Sequence, residues 1–370
     1  MLYLKVKTTV VCIKTGGFNS YMKFLLRCKP NTKKPPTGKK VAIIGAGPAG
    51  LGAAGVLLCN GHEVHIYDAL PEPGGLLMFG IPPFRIPREG VREGVKELEE
   101  AGATFYTSTF VYCGEKPHEH EALLLAKNFV DLRDLVERYD AIIITTGTWR
   151  SRSLNLPGED LPGVYKALDY LFRIYAHQLG YLPKDKVYPT GRKALVVGGG
   201  LTAVDAALEA KLQGAEKVVV AYRRTINEAP AGKRTIETEL IAKGVEFREL
   251  LNPVAFLGED RLEKVRFVKM KLGAPDKSGR PRPEPIPGSE FEEEFDTVLI
   301  AAGEEPTPPG SCLGIEFNPD GTIKVDEKMQ TTCRGVFAAG DVVTGPSLIG
   351  KALASGMRAA QFVDEYLRSI

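Results

Sequence analysis

The chain is predicted to be α/β, built from two Rossmann-type dinucleotide-binding domains, and three observations lead there. A buried apolar strand pattern runs straight into a glycine loop and a small-residue helix twice, near residues 41 and 194. Around these units strand-like runs alternate with helical patterns, as in parallel sheets wound by right-handed crossovers. The length of 370 residues exceeds one ordinary core of roughly 100–200 residues, so two domains are expected.

Residues 1–37 read as a separate basic arm, since the first forty residues carry ten Lys or Arg and no Asp or Glu. Its end, CKPNTKKPPTGKK, has the Pro-containing polar character of a linker, and the arm reads as a solvated tail. The first unit then follows: VAIIG at 41, PAGLGAAGVLLCN from 48, EVHIYD at 63, a helical REGVREGVKELEEAGA from 88, and YDAIIITTG closing it at 139–147. From Lys193 the same logic restarts with ALVVGGG, LTAVDAALEAKLQG and KVVVAYRR. Between about 245 and 300 the period shifts to two in LEKVRFVKMKL and EFEEEFDTVLI, which predicts a β-hairpin or meander. GVFAAGD at 335–341 and an amphipathic helix to about Leu367 complete the chain.

The first loop is Gly45-Ala46-Gly47-Pro48-Ala49-Gly50. Gly45 permits the tight turn, Gly47 leaves room for a pyrophosphate, and Gly50 lets helix and strand pack closely. The helix N-terminus offers free N–H groups and partial positive charge to the phosphates. Asp68 ends the second strand, where a carboxylate can accept from ribose hydroxyls. The second loop, Gly198-Gly199-Gly200-Leu201-Thr202-Ala203, keeps two glycines and puts a tolerated small residue third. Where the first unit has its acid, this one has Tyr222-Arg223-Arg224. Paired guanidinium groups suit a 2′-phosphate, which favours NADPH over NADH.

With 44% hydrophobic and 25% charged residues the composition is that of a globular protein, and no apolar run approaches the roughly 20 residues a membrane span needs. The six cysteines (Cys12, Cys28, Cys59, Cys113, Cys312, Cys333) form no CxxC and no close cluster. That argues against a zinc ribbon, an iron-sulfur cluster or a redox dithiol, and fits a reduced cytosol. Asn and Gln number only twelve together, a scarcity found in heat-adapted proteins. No metal or nucleic-acid ligand is expected, and His118 and His120 in KPHEHE read as a solvated loop.

Beyond the generic loops, PEPGGLLMFGIPPFRIP at 71–87, TGTWRSRSLNLPGEDLPGV at 146–164, AEKVVVAYRRTINEAPA and GVFAAGDVVTGPSLIGKALASGMRAA carry a more specific signal. In these stretches the chain resembles the small (beta) subunit of glutamate synthase and its relatives, over about residues 38–370. The resemblance implies a discontinuous FAD domain of residues 38–155 and 306–370, with an NAD(P)H domain of residues 156–305 inserted into it. It assigns Asp341, after Gly340, to the ribitol and pyrophosphate region, and brings the helix near Gly350 and Ala352 toward the flavin ring. It adds Gly75, Leu76, Gly80, Arg85, Val111, Gly147 and Gly303 to the cofactor-binding residues. Two positions depart from the family pattern, Leu201 in place of Asn and Ala229 in place of Met. Relatives often carry an N-terminal iron-sulfur domain, whereas this chain has the short basic arm.

Hydride passes directly between a nicotinamide and a flavin, so no protein acid or base is required, and none is assigned. The expected activity is that of an electron-transfer subunit in the cytoplasm, working between NADPH and an iron-sulfur protein or synthase-type partner in a hetero-oligomer. A stand-alone flavin enzyme reducing oxygen, quinone or a dye is the alternative. A disulfide reductase would need a thiol pair near the flavin, and none is spaced for it.

Overall fold

The computed structural model of the protein describes residues 5–6, 9–10, 25–26, 28, 32–114, 121–275 and 279–370. Most of the basic arm, the His118–His120 loop and part of the turn before Gly279 lie outside the described residues. Among the described ones, no helix is long and apolar enough to cross a membrane.

The first sheet contains β1 (Lys40–Ile44), β2 (Glu63–Tyr67), β3 (Thr104–Tyr106), β6 (Ala141–Ile144) and β18 (Val336–Ala338). All are parallel, in the order β18-β6-β1-β2-β3. Ile44, Tyr67, Ile144 and Ala338 end their strands in one register, so four carboxyl ends open on the same edge. β6 is buried at every position, as expected of a central strand covered on both faces. Helix α1 (Pro48–Cys59) lies on the sheet and is apolar nearly all round because α8 (Ile349–Arg368) covers its other side. Gly356 makes this possible: a Cβ there would lie 1.9 Å from the Ala49 carbonyl oxygen. Strands β4 (Thr109–Tyr112) and β5 (Asn128–Asp131) form a separate parallel pair beside the sheet.

The second sheet runs β8-β16-β9-β10-β11 and is also parallel, built from Val164–Lys166, Thr297–Ile300, Lys193–Val197, Lys217–Tyr222 and Glu246–Glu249. Helices α5 (Ala167–Gln178) and α6 (Leu201–Leu212) cover one face. An antiparallel layer of β12 (Leu251–Leu257), β13 (Lys264–Pro275), β14 (Pro281–Pro285) and β15 (Phe291–Glu294) covers the other. Phe256, Val265, Phe267 and Phe295 of that layer pack on Leu195, Val197, Val219 and Ala221. The meander is therefore present but shorter than its sequence period suggests. Glu246–Glu249 and Thr297–Ile300 belong to the parallel sheet, the first as its edge strand and the second as a strand buried at every position.

The chain crosses between the sheets twice, at β7 (Arg150–Ser151) and β17 (Glu304–Glu305), which pair antiparallel. The second unit is thus inserted into the first, whose sheet is completed only by β18.

Two expectations change. Cys28 pairs with Cys59 (Cα–Cα 5.7 Å) and Cys113 with Cys312 (Cα–Cα 5.5 Å), leaving Cys333 as the free thiol among the described residues. The argument for a reduced cytosol from unpaired cysteines falls with this, since spacing detects only cysteines that are near in sequence. Parts of the arm are also no solvated tail. Leu25 is buried in the first core, and a Cβ on Gly55 of α1 would lie 1.9 Å from its carbonyl oxygen. The Lys34 amide donates to the Cys59 carbonyl at 2.9 Å, and the Thr37 amide to Gly61 at 3.0 Å.

Candidate functional site

Where the four carboxyl ends open, a cleft of about 530 Å³ runs along the edge of the first sheet. This is the place where doubly wound sheets bind ligands, in the crevice beyond the strand ends. β1 delivers the Gly45–Gly50 loop to it. Gly45 has φ +106°, and a Cβ there would lie 2.6 Å from the Thr145 carbonyl oxygen. Thr145 Oγ1 in turn donates to the Gly45 carbonyl at 2.8 Å, which fixes the turn. Gly47 caps α1 in an extended conformation with no side-chain hydrogen bond, so the first-turn amides are offered to a ligand. A Cβ on Gly47 would meet no protein atom within 4 Å. That open side is the cradle a pyrophosphate requires. Gly50 serves packing, since its Cβ would fall 1.9 Å from the Gly45 oxygen.

Asp68, at the end of β2, lines the cleft and is buried. Its carboxylate accepts from the Ala46 amide at 2.5 Å and from the Leu70 amide at 2.8 Å. Burial pushes its pKa up to about 6 against the pull of those two amides. Asp341 faces the same cleft from the C-terminal part of the chain, accepts from Ser347 Oγ at 2.6 Å, and is likewise raised by burial. Gly340 before it has φ +76°, and a Cβ there would press on Ala49 at 2.7 Å.

Of the residues expected on the first site, Gly45, Gly47, Pro48, Ala49, Asp68, Gly75, Leu76, Val111, Gly147, Asp341 and Ala352 line the cleft. Gly50, Gly80, Gly340 and Gly350 do not; Gly80, for one, makes room for Leu76, whose Cδ2 would lie 2.5 Å from an added Cβ. Arg85 is off the cleft as well. It reaches the inserted unit, where it pairs with Asp205 of α6 and with Glu239 at 2.6 Å. A half-buried guanidinium takes carboxylates wherever the fold brings them, so this assignment is corrected from ligand to bridge.

Residues not singled out in the sequence also line the cleft. Thr146, Thr148 and Trp149 follow β6, and Pro306–Ser311 returns from the second unit. Trp149, the one tryptophan of the chain, stands two residues after the expected Gly147 and could have been noticed. Pro306–Ser311 arrives only through the return of a distant segment.

The second loop is built like the first. Gly198 has φ +149°, with a Cβ position 2.3 Å from the Ala301 oxygen, while Gly200, the cap of α6, is open on its Cβ side. Ala203 is buried and Leu201 exposed. Thr202 Oγ1 donates to Glu304 at 3.1 Å, and burial raises the Glu304 carboxyl. Gly303 accepts from the Arg152 amide at 2.9 Å, at the crossing between the units. The arginine pair divides, because alternate residues leave a strand end in opposite directions. Arg223 is exposed, whereas Arg224 is buried and donates from Nε to the Pro281 carbonyl at 2.8 Å. The two arginines therefore do not present their guanidinium groups together on the surface.

The match to known proteins covers nearly the whole chain. Residues 39–356 match the family described as pyridine nucleotide-disulphide oxidoreductase. A glutamate synthase [NADPH] small chain of Halomonas elongata is 39% identical over 353 residues, covering 93% of this chain and 71% of that one. The NADP(+)-dependent formate dehydrogenase subunit beta of Moorella thermoacetica is 38% identical, covering 90% of this chain and 44% of that one. In fold, the chain is similar to Mycobacterium tuberculosis FprA in complex with NADPH, with TM-score 0.71 at 22% identity, covering 91% of this chain and 85% of that one. The chain belongs to the pyridine nucleotide-disulphide oxidoreductase family, among relatives that include glutamate synthase small chains.

Proposed function

We propose that the chain is an FAD-dependent NADPH oxidoreductase acting as the electron-transfer subunit of a larger enzyme. One observation carries the reading: two glycine loops, each open on its ligand side, are followed by side chains of opposite sign, Asp68 in one unit and Arg223 in the other. Residues 38–155 and 306–370 would hold FAD, and residues 156–305 NADPH. A bound flavin supplies the chemistry, accepting hydride from a nicotinamide and passing electrons on singly or in pairs.

The chain's own residues bind and orient. Gly47 and the first-turn amides of α1 take the pyrophosphate, and Asp68 accepts the hydroxyls of the adenosine ribose. Asp341 takes the ribitol side. Ile349 and Ala352 bring the N-terminal turn of the twenty-residue α8 to the cleft, and its partial positive charge favours the negative charge of a reduced flavin. Arg223 takes the 2′-phosphate.

A partner that receives or supplies the electrons, an iron-sulfur protein or a synthase-type subunit, agrees with relatives whose names are "small chain" and "subunit beta". The test is direct: FAD is extracted and quantified, then the protein is titrated with NADPH without oxygen. About one FAD per chain, bleached by NADPH in preference to NADH, is expected. FMN, no flavin, or equal response to NADH would overturn the reading. Native co-purification with an iron-containing subunit tests the partner, and fast turnover with oxygen or quinone alone would favour a stand-alone enzyme.

A further inference from the structure

We propose that Cys113–Cys312 is a thiol–disulfide exchange site that sets how tightly the cleft holds its dinucleotide. The inference rests on FAD being the occupant of that cleft. The two cysteines lie 199 residues apart, on opposite sides of the inserted unit, and their bridge joins the two halves of the discontinuous domain. Cys113 follows β4, whose first residue donates its amide to the Asp68 carbonyl at 2.7 Å. Cys312 ends the segment Pro306–Ser311 that closes the cleft on the facing side. Both cysteines pack in the core that holds Ile44, Tyr67, Ile144 and Val342, behind strand ends that open on the cleft.

That segment has few backbone hydrogen bonds to hold it. Pro306, Pro308 and Pro309 have no N–H to donate, so it cannot be zipped to a neighbour by backbone hydrogen bonds. It is tied at one end by Thr307, which donates its amide at 3.0 Å and its Oγ1 at 3.2 Å to the Gly147 carbonyl. At the other end the Cys113 amide donates to the Pro309 carbonyl at 2.6 Å, beside the disulfide. Gly310, with φ +123°, lies against the Cys113 carbonyl so closely that a Cβ would be 2.3 Å away. Opening the disulfide removes the covalent hold from this second end, and the wall of the cleft is left on the Thr307 bonds to Gly147 at one end and the Cys113 amide at the other.

The site is built for exchange on one sulfur. Cys113 is buried and Cys312 half-buried, so an external dithiol attacks the Cys312 sulfur. The Sγ–Sγ bond breaks, Cys113 leaves as a thiolate that takes a proton, and the second sulfur of the reductant then releases Cys312. Two electrons and two protons move from the dithiol, which ends as its own disulfide. A metal held by both sulfurs and the nearby Asp131 carboxylate is the competing use of this cluster, whose ligand atoms lie within 4.8 Å of one another. Asp131 is already committed, to Arg133 Nη2 at 2.6 Å and to the cap of the helix Leu132–Arg138, which favours the disulfide.

The experiment uses the full chain loaded with FAD, carrying Cys28→Ser and Cys59→Ser so that Cys113–Cys312 is the only disulfide among the described residues. FAD release is followed by its fluorescence before and after incubation with dithiothreitol, with hydrogen exchange of the peptide containing the Cys113 amide read in parallel. Reduction is expected to speed release about tenfold and to expose that amide, with recovery on reoxidation. Cys312→Ser should release FAD fast in either condition. Unchanged release and unchanged amide protection after complete reduction would overturn the proposal. So would a protein isolated with both thiols free and a bound metal ion. A chain that takes up no FAD yet exposes the Cys113 amide on reduction would sink the cofactor assignment while sustaining the clasp on the cleft wall.

Discussion

Asp68 combines burial with a place in the cleft, and its behaviour with pH follows from that combination. Its folded pKa of about 6 lies above the usual carboxylate value, so the FAD-free fold binds the extra proton. This contribution to stability is present in acid and is lost as pH rises through about 6. With Asp68 in its proposed role, ribose hydroxyls donate to the ionised form, so FAD binding should release the proton and affinity should fall as pH drops below about 6, by at most about tenfold per unit. Quenching of Trp149, which lines the cleft, measures it; Asp68→Asn should bind more weakly at neutral pH and lose the acid dependence. Arg223 and Arg224 separate in the same residue-by-residue way. Arg223→Ala should raise the NADPH Michaelis constant about 10- to 100-fold, the equivalent of a charge-assisted hydrogen bond, with NADH unchanged. Arg224→Ala should instead lower the thermal midpoint, because it leaves the Pro281 carbonyl without its donor. That two arginines follow the strand was legible in the sequence. Which one faces solvent was not, since that depends on how the strand end meets Pro281.

At the scale of elements, α6 serves two purposes that its sequence does not distinguish. Its first turn carries the second glycine loop, while Asp205 one turn on is buried and pairs with Arg85 of the other unit. Burial pushes the Asp205 carboxyl up to about 6 although Arg85 opposes it. Asp205→Ala leaves Arg85 with Glu239 alone and should cost about 1–3 kcal/mol, seen as a lower thermal midpoint. Glycine-loop binding should persist, so NADPH affinity measured by equilibrium titration should change little. Equal losses in both would show that Arg85 supports the nucleotide site rather than the contact between units. The helices α1 and α8 were legible as patterns on their own; their close packing through Gly356 and Ala49 was not, because it joins segments about 300 residues apart in the chain.

For the whole molecule, the described part of the N-terminal arm is a structural tie. Leu25 fills the first core and Cys28 bonds to Cys59 at the end of α1. Deleting residues 1–20 should leave the thermal midpoint unchanged, whereas deleting residues 1–36 should cost about 2–4 kcal/mol through the lost disulfide, before any loss of Leu25 burial. Calorimetry of both truncations under non-reducing conditions checks this, and equal midpoints would return the arm to a solvated tail. The amino-acid sequence by itself determined the two strand–glycine–helix units, the acid at one strand end and the arginines at the other. Those features are set within a few residues, where a positive φ, a missing Cβ and a helix cap depend on immediate neighbours. Only the tertiary structure decided the two disulfides, the partners of Arg85, the proline-rich wall at Pro306–Ser311 and the division of the arginine pair. Each of these depends on where the chain returns after tens or hundreds of residues, and neither period nor spacing carries that information.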